Sequence, residues 1–289
     1  MSSGPTFPED QSGEPDAESV QPYIIAEQRL PPGFAQRIDH VPETIALARP
    51  AATVVLVRDT DSGPEALLMR RHGSAGFVPG AWVFPGGRVD PADAAPDLWS
   101  PPSPVLVPPR EFWVAAVREV FEETGVLLAT RVDGTALDGR AVTEALAQWR
   151  SELLADRATL LDVLRDVRLR LALEETIHLA HWVTPIVEPR RYDTHFFLAR
   201  LPAGATVTVD PREMTAAQWL APSVALQQFE RGELPMVFPT VRVLEALAPF
   251  SSVRDATRAL RDRVVPTIMP RLVRVKEGIA FLIDQEGSE

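Results

Sequence analysis

The feature that most constrains this sequence is an acidic segment near its middle. Residues 118–126 read Arg-Glu-Val-Phe-Glu-Glu-Thr-Gly-Val, and the apolar residues around them have helical spacing. At about 100° per residue, Glu119, Glu122 and Glu123 lie within one third of the helix circumference, opposite an apolar face. Three carboxylates in one turn repel one another, so a hard divalent cation on a solvent-facing side would explain them. The alternative is a solvated acidic face on which Arg118 pairs with Glu122.

Composition and charge exclude several other classes of protein. The chain of 289 residues contains no cysteine, which excludes a disulfide scaffold, a thiol nucleophile and cysteine-based metal sites. The net charge of −11 argues against nucleic-acid binding. No apolar run approaches ~18 residues, which predicts no membrane span. The amino terminus resembles neither a signal peptide nor a transit peptide, so we expect a cytoplasmic protein.

The chain divides into four regions by composition. Residues 1–20 predict a disordered acidic tail, and residues 21–50 predict a proline-interrupted lead-in that wraps onto the core. Residues 51–235 form the predicted main domain, and residues 236–289 a helical C-terminal extension. Within the domain, seven prolines between residues 91 and 110 predict an insertion at about residues 94–110, in the form of a surface loop.

The local patterns predict strands that alternate loosely with helices, and hence an α+β fold with a mixed sheet between helices. A hairpin of residues 53–59 and 65–71 is followed by a helix from Glu111 to Gly125. Further strands are predicted at 126–129, 178–187, 194–201 and 215–220. Further helices are predicted within 141–173 and at 222–231, 239–249 and 252–262.

Several other polar and aromatic residues admit a functional or a structural interpretation. His178 and His181 form an H-x-x-H pair, but residues three apart on a strand point to opposite faces, which favours structural roles. Trp82 and Trp113 could stack on a base, although core packing is the commoner role. Arg190 and Arg191, between two predicted strands, form either a phosphate clamp or a solvated basic pair.

The acidic segment resembles the Nudix box, G-x5-E-x7-R-E-U-x-E-E-x-G-U, in which U is aliphatic. The second half fits at every specified position, from Arg118 to Val126. Counted from Gly87, the first Glu position falls on Asp93, a shorter carboxylate. Between Asp93 and Arg118 stand 24 residues, where the family pattern has seven. The excess corresponds to the proline-rich insertion.

A second resemblance narrows the substrate class. Coenzyme A diphosphatases of this family carry L-L-T-x-R-[SA]-x3-R-x3-G-x3-F-P-G-G before the box. Residues 67–87 match its spacing, with Met69, His72 and Gly76 as departures. The segment from Trp182 to Thr194 is similar to one branch of these enzymes. The resemblance implies hydrolysis of coenzyme A or acyl-CoA. The cationic side chains available to bind its phosphates are Arg70, Arg71, Arg190 and Arg191.

The resemblance also implies a fold, a cofactor and site residues. The fold would be an α/β/α sandwich, and Mg²⁺ or Mn²⁺ would be held by Glu119, Glu122 and Glu123 with the backbone carbonyl of Gly86 or Gly87. Arg118 would orient the glutamates. The general base is left open among Glu122, Glu175, Glu188 and Asp193.

Other functions within the family remain alternatives. An ADP-ribose or NADH diphosphatase is one, and a non-catalytic module that senses a nucleotide is another. The expected partner is a small nucleotide-diphosphate substrate. A homodimer is compatible with the sequence.

Overall fold

The structure, a computed structural model, describes residues 23–25, 37–39, 42–73, 78–98, 107–135 and 143–283. The predicted acidic tail at residues 1–20 lies outside the described residues. Among the residues that are described, no helix combines the length and the hydropathy needed to cross a bilayer.

The strands in chain order are β1 (Tyr23–Ile25), β2 (Ala48–Thr60), β3 (Gly63–Arg71), β4 (Trp82–Val83), β5 (Gly86–Arg88), β6 (Ala129–Arg131), β7 (Leu169–Leu171), β8 (Ile177–Val183), β9 (Arg191–Arg200), β10 (Met214–Leu220), β11 (Thr267–Ile268), β12 (Arg271–Val275) and β13 (Gly278–Leu282). The α-helices are α1 (Arg110–Thr124), α2 (Thr143–Leu154), α3 (Leu160–Asp166), α4 (Pro222–Glu230), α5 (Phe238–Leu247) and α6 (Val253–Leu260).

The central sheet is mixed and has the strand order β10-β3-β2-β9-β8-β11. Strands β2 and β9 pair in parallel, whereas β2–β3, β3–β10 and β8–β9 are antiparallel. Two short strands add to it, since β4 pairs with β3 and β5 pairs with β2. Residues 54–57 of β2 are an unbroken apolar run because this strand is buried on both faces.

Helices cover both faces of this sheet. On one face α1, α2 and α3 pack in a core that includes Val54, Leu56 and Met69. On the other face α4, α5 and α6 pack in a second core that includes Val55 and Leu68. The alternation of β2 and β3 side chains between the two cores follows the two-residue period of a strand. The predicted α+β fold, an α/β/α sandwich with a mixed sheet, is therefore confirmed.

Helix α1 ends where the sequence predicts. Gly125 adopts a left-handed conformation with φ of 73°, and its amide donates to the Phe121 carbonyl at 2.9 Å. The predicted hairpin of residues 53–59 and 65–71 is also present as β2 and β3, with Thr60 paired to Gly63 across the turn.

Two regions predicted as helical also contain strands. Within the described part of 141–173 the chain forms α2 and α3, but it then turns at Arg168, where φ is 53°, into β7, which pairs with β6. The prediction of a helical C-terminal extension over 236–289 is correct for α5 and α6 and wrong for β11, β12 and β13. These strands depend on pairing with distant partners, since β11 joins β8 and β13 joins β1 of the lead-in.

The C-terminal region is not packed as a separate body. Helices α5 and α6 share the second core with residues of β2, β3, β8 and β9. The boundary at residue 235 stays a prediction, although residues on its two sides share this core.

The proline-rich insertion is anchored at both ends. It begins with two short 3₁₀ helices, Pro91–Ala94 and Pro96–Leu98, and Leu98 is buried in the first core. At the other end the Pro108 carbonyl is buried against Trp113, whose indole N–H donates to it at 3.1 Å. Most of the described residues within 94–110 are exposed, but Leu98 and Pro108 are buried and Arg110 already belongs to α1. The middle of the insertion, residues 99–106, lies outside the described residues.

Candidate active site

The site is built where the Gly86–Gly87 turn meets the second half of α1. Strand β5 pairs with residues 51–53 of β2, and the Gly86 amide donates to the Glu123 carboxylate at 2.9 Å. A Cβ on Gly87 would lie 2.4 Å from a Glu119 carboxylate oxygen, whereas one on Gly86 would lie 2.4 Å from the Ala52 carbonyl oxygen. Gly86 is thus required by the neighbouring strand, and Gly87 by the close approach of Glu119.

The C-terminal end of α1 is fixed by hydrogen bonds from neighbouring segments to the carbonyls of its last turn. The Glu122 carbonyl accepts from the Arg150 side chain at 2.8 Å, and the Glu123 carbonyl accepts from the Asp210 amide at 3.1 Å. The Thr124 carbonyl accepts from the Thr208 amide at 2.8 Å. Because these groups would otherwise be unpaired at a helix terminus, they hold the turn that carries the glutamates in place.

Arg118 joins the two halves of the motif. Its Nε donates to Asp93 Oδ1 at 2.9 Å and its Nη2 to Asp93 Oδ2 at 3.0 Å, so the pair is bidentate. Nη2 also donates to the Arg88 carbonyl at 2.7 Å. Nη1 donates to Glu119 at 3.0 Å and to Glu122 at 3.2 Å. The guanidinium therefore orients two of the three glutamates while Asp93 holds it from behind.

The glutamates are less exposed than a one-sided helix would make them. The Glu123 residue is only 4% exposed, because its side of α1 faces the glycine turn, where its carboxylate accepts from the Gly86 amide of β5. The expectation of three solvent-facing carboxylates is therefore wrong for Glu123. The side chains of Glu119 and Glu122 retain 14% and 21% exposure.

Burial sets the protonation of this cluster. Burial raises the pKa of Glu119 to about 7 against the charge of Arg118, and it also raises the pKa of Glu122. Burial and then the charge of Glu119 raise the pKa of Glu123 well above its usual range. Burial alone would lower the pKa of Arg118, but its bond to Asp93 and the surrounding carboxylates raise it further.

The donor set fits a hard divalent cation. Glu123 is desolvated, and the charge of Glu119 raises the energy of charging it further. The Gly87 position leaves the Glu119 oxygens open to the turn, since a side chain there would occupy the same space. Oxygen donors of this kind are the ligands that Mg²⁺ and Mn²⁺ prefer.

Sequence reasoning missed one residue at this site, Glu213, and did not place Arg71 beside the glutamates. The negative charge of Glu213 raises the pKa values of both Glu119 and Glu123, and the charge of Arg71 lowers that of Glu123. The two residues are brought together because Met214 pairs with Arg71 and the His72 amide donates to the Glu213 carbonyl at 2.9 Å. No short motif marks Glu213, because its position depends on this pairing across 142 residues.

The other candidate bases lie elsewhere. Glu175 is exposed at the end of a 3₁₀ turn, and Glu188 pairs with Arg37 at 3.5 Å between β8 and β9. Asp193 pairs with His181. Of the candidates named from the sequence, Glu122 is the one held beside Arg118.

The four candidate substrate-binding arginines separate into different environments. Arg71 follows Leu67 and Met69 on the face of β3 that carries α1, and its Nε is buried without a hydrogen-bond partner among the described residues. Arg70 points to the opposite face, as strand alternation requires. Arg191 donates to the carbonyls of Thr184 and Ala46, both at 2.9 Å, and is therefore engaged in holding the structure.

Arg190 lines a cavity of about 300 Å³ beside the first residues of β2 and β9. Arg49, Arg191 and Tyr192 also line this cavity. Arg49 and Arg190 are exposed. Arg49 precedes Ala52, the partner of Gly87, by three residues, or about 10 Å along a strand.

The structure confirms that the two tryptophans singled out from the sequence are core residues, but it contradicts the argument about the H-x-x-H pair. Trp82 and Trp113 are 6% and 7% exposed and belong to the two cores. The argument that His178 and His181 face opposite sides of a strand is wrong, because a β-bulge between His178 and Ala180 shifts the register. His195 contacts both rings, with centroid distances of 4.9 Å and 3.8 Å.

Known proteins resemble this chain in sequence and in fold. The profile of the NUDT19 Nudix domain matches residues 107–247, from the end of the insertion through α5. The acyl-coenzyme A diphosphatase NUDT19 of Xenopus laevis is 25% identical over 272 residues, covering 78% of this chain and 71% of that protein. The human protein of the same name is 28% identical over 266 residues, covering 76% and 71%.

A solved structure extends the likeness to the fold. The crystal structure of a NUDIX hydrolase from Alicyclobacillus acidocaldarius superposes with a TM-score of 0.63 and 29% sequence identity. The match covers 76% of this chain and all of that one.

Proposed function

Because this chain belongs to the Nudix hydrolase superfamily, we propose that it hydrolyses coenzyme A or an acyl-CoA at the diphosphate. The reaction class is hydrolysis of a phosphorus-containing anhydride, and the superfamily generally depends on divalent metal ions. The observation that carries the proposal is the packing of Glu119 on Gly87, with Arg118 holding the glutamates and Asp93 holding Arg118. The named relatives supply the substrate: they are acyl-CoA diphosphatases.

The residues that would hold the cation are those on α1 and the adjoining turn. Glu119, Glu122 and Glu123, with the backbone carbonyl of Gly87, would bind Mg²⁺ or Mn²⁺. A bound divalent cation neutralises phosphate charge and makes a water molecule more acidic. Arg118 keeps the carboxylates in place through hydrogen bonds at 3.0–3.2 Å.

The hydrolysis also needs a proton acceptor and a group that offsets charge on the diphosphate. One bridging P–O bond breaks, the oxygen of water bonds to one phosphorus, and a proton of that water is released. Glu213 is our candidate for the acceptor because its charge acts on both Glu119 and Glu123 from outside the helix. Arg71 is our candidate for the diphosphate, since its buried Nε has no partner among the described residues.

Recognition of the 3′-phosphate is assigned to the cavity at the start of β2 and β9. This phosphate distinguishes coenzyme A from dephospho-CoA, ADP-ribose and NADH. Arg190, with Arg49 beside it, supplies exposed cationic groups, and Tyr192 supplies an aromatic ring. Strand β2 leads from this cavity to the glycine turn, so one nucleotide could span both places.

A substrate panel tests the proposal. The purified chain is incubated separately with coenzyme A, an acyl-CoA, dephospho-CoA, ADP-ribose and NADH, in the presence of Mg²⁺ or Mn²⁺. The products are identified by mass spectrometry. We expect 3′,5′-ADP and 4′-phosphopantetheine, or its acyl form, with coenzyme A hydrolysed faster than dephospho-CoA. Hydrolysis of ADP-ribose or NADH without hydrolysis of coenzyme A would refute the proposed substrate but would agree with the proposed reaction class. Binding of a nucleotide without hydrolysis would indicate a sensing module.

A pair of arginine variants tests the assignment of the 3′-phosphate. Arg190→Ala should remove the preference for coenzyme A over dephospho-CoA. Arg200→Ala is the matched control, because Arg200 is an exposed arginine at the far end of β9, the strand that begins directly after Arg190, and it pairs with Asp59 at 3.0 Å. Equal loss of preference in both variants would refute the assignment. The cytoplasmic location and the homodimer stay hypotheses.

A further inference from the structure

A second group of metal-ligating side chains lies on β8 and β9. It consists of His181, Asp193 and His195, which each offer one ligand atom within 4.8 Å of the others. We propose that this group binds a zinc ion, at a site additional to the glutamates of α1. The proposal does not depend on the proposed function.

The fold places the three side chains on one face of the sheet. His181 is directly opposite His195 in the antiparallel pair, so both point to the same side. Asp193 precedes His195 by two residues and shares that side through the strand period. The imidazole rings of His181 and His195 are stacked with their centroids 3.8 Å apart, and His181 Nε2 contacts the Asp193 carboxylate.

Both imidazoles are held by their other ring nitrogen. Nδ1 of His181 hydrogen-bonds to Thr267 Oγ1 at 2.9 Å, and Nδ1 of His195 to His178 Nε2 at 2.9 Å. A metal-binding histidine is characteristically oriented by a hydrogen bond of this kind at the nitrogen that does not bind the metal. With Nδ1 engaged in this way, Nε2 of both rings is available to bind a metal beside the Asp193 carboxylate.

The donors favour zinc over the cations expected at the glutamates. Two imidazole nitrogens and one carboxylate suit Zn²⁺, whereas Mg²⁺ prefers oxygen donors alone. With Zn–N distances of about 2.0–2.1 Å, donor atoms around tetrahedral zinc are roughly 3.4 Å apart. Small side-chain rotations would bring the three ligand atoms to this separation. The Asp193 side chain is 36% exposed, which leaves room for water as the fourth ligand.

The group is displaced along α1 from the glutamates. The ring of Phe112, in the first turn, contacts the His195 ring at 4.5 Å between centroids. Glu119 follows seven residues later, which is about 10 Å along the helix axis. Zinc bound here would join β8 to β9, and to β11 through Thr267, beneath the beginning of α1.

Zinc binding by the full chain tests the proposal. The protein is stripped with a chelator, loaded with Zn²⁺ and desalted, and the retained metal is measured by elemental analysis. We expect one zinc per chain, lost in Asp193→Asn and His181→Gln and kept in His72→Gln, which removes an imidazole outside the group. Co²⁺ in the same place should give visible absorption typical of tetrahedral coordination, absent from Asp193→Asn.

The outcomes separate this site from the proposed enzyme function. Retention of the same zinc content by Asp193→Asn and His181→Gln, or no retention by the parent chain, would overturn the proposal. If those variants do not fold, Thr267→Val should bind zinc roughly 10- to 100-fold more weakly, and unchanged affinity would overturn it. Glu122→Gln should retain the same zinc content as the parent chain. The zinc measurement therefore does not depend on whether the proposed hydrolase activity is found.

Discussion

The buried pair between Asp93 and Arg118 makes a quantitative prediction about Asp93→Asn. The substitution keeps the size of the side chain but leaves one oxygen where the carboxylate has two. In the parent chain Oδ1 accepts from Arg118 Nε, and Oδ2 accepts from Arg118 Nη2 and from the Asp90 amide at 2.8 Å. An amide group would turn an N–H donor toward one of these donors. We expect a less stable protein with misplaced glutamates.

The magnitude follows from the burial of both partners. The side chains of Asp93 and Arg118 are 2% and 9% exposed. Removing one partner of a buried ion pair costs about 3–5 kcal/mol, and Arg118 keeps its other acceptors, so we expect about 3 kcal/mol. For 289 residues the unfolding entropy is about 0.6 kcal/mol/K, which converts this loss into a Tm decrease of about 5 °C.

Thermal unfolding and turnover measured on the same samples test this reasoning. The matched control is Asp97→Asn, four residues further along the chain, because Asp97 and its partner Arg165 are 66% and 61% exposed. A pair of this kind contributes about 0–1 kcal/mol, so its loss should change Tm by at most about 1–2 °C. Asp93→Asn should also lower kcat, through the displaced Arg118. Equal Tm values for the two variants would refute the buried-pair argument.

Three further predictions concern the carboxylates and the glycine turn. Glu122→Gln should keep a near-parental Tm and lose several orders of magnitude in kcat at saturating Mg²⁺; near-parental turnover would contradict its role. Gly87→Ala should stay folded and lose activity by displacing Glu119, whereas Gly86→Ala, whose Cβ meets the backbone of Ala52, should lower Tm; circular dichroism and product assays separate the two. Burial raises the pKa of Glu119 to about 7, whereas the unfolded chain releases this proton above about pH 4.3. Between these values the native state binds more protons than the unfolded state, so the free energy of unfolding without metal should fall from pH 5 to pH 8. Mg²⁺ should therefore raise Tm more at pH 8 than at pH 5, and an equal increase at both would contradict the assignment.

The sequence predicted the parts of the site that local pattern determines. Helix α1, its glycine end and the spacing of Glu119, Glu122 and Glu123 all follow from the period of one helix. The close approach at Gly87 also has a local signal, since two consecutive glycines follow Pro85. The helical period does not reveal that β5 lies against Glu123, whose carboxylate accepts from the Gly86 amide and is thereby removed from solvent.

The residues that sequence reasoning missed depend on contacts between distant segments. Glu213 reaches the glutamates because β10 pairs with β3. The bulge that brings His178 and His181 to one side shifts a strand register, which regular alternation cannot reveal. Strand β13 needs β1 as its partner, more than 250 residues away.

The contact of Asp93 with Arg118 explains why the motif tolerates an insertion. Loop-closure entropy grows with the logarithm of length, so 24 residues instead of seven cost only about 1 kcal/mol. Separating Arg118 from Asp93 would cost more than that, because a buried charge would be left without its partner. Leu98 and Pro108 are buried, so the added residues begin and end within the core and do not separate the two halves. Because Asp93 lies in a 3₁₀ turn capped by its own bond to the Asp90 amide, its backbone is close enough for a short carboxylate to reach Arg118. This contact orients Arg118, and through it Glu119 and Glu122, and it does not depend on the length of chain between the two halves.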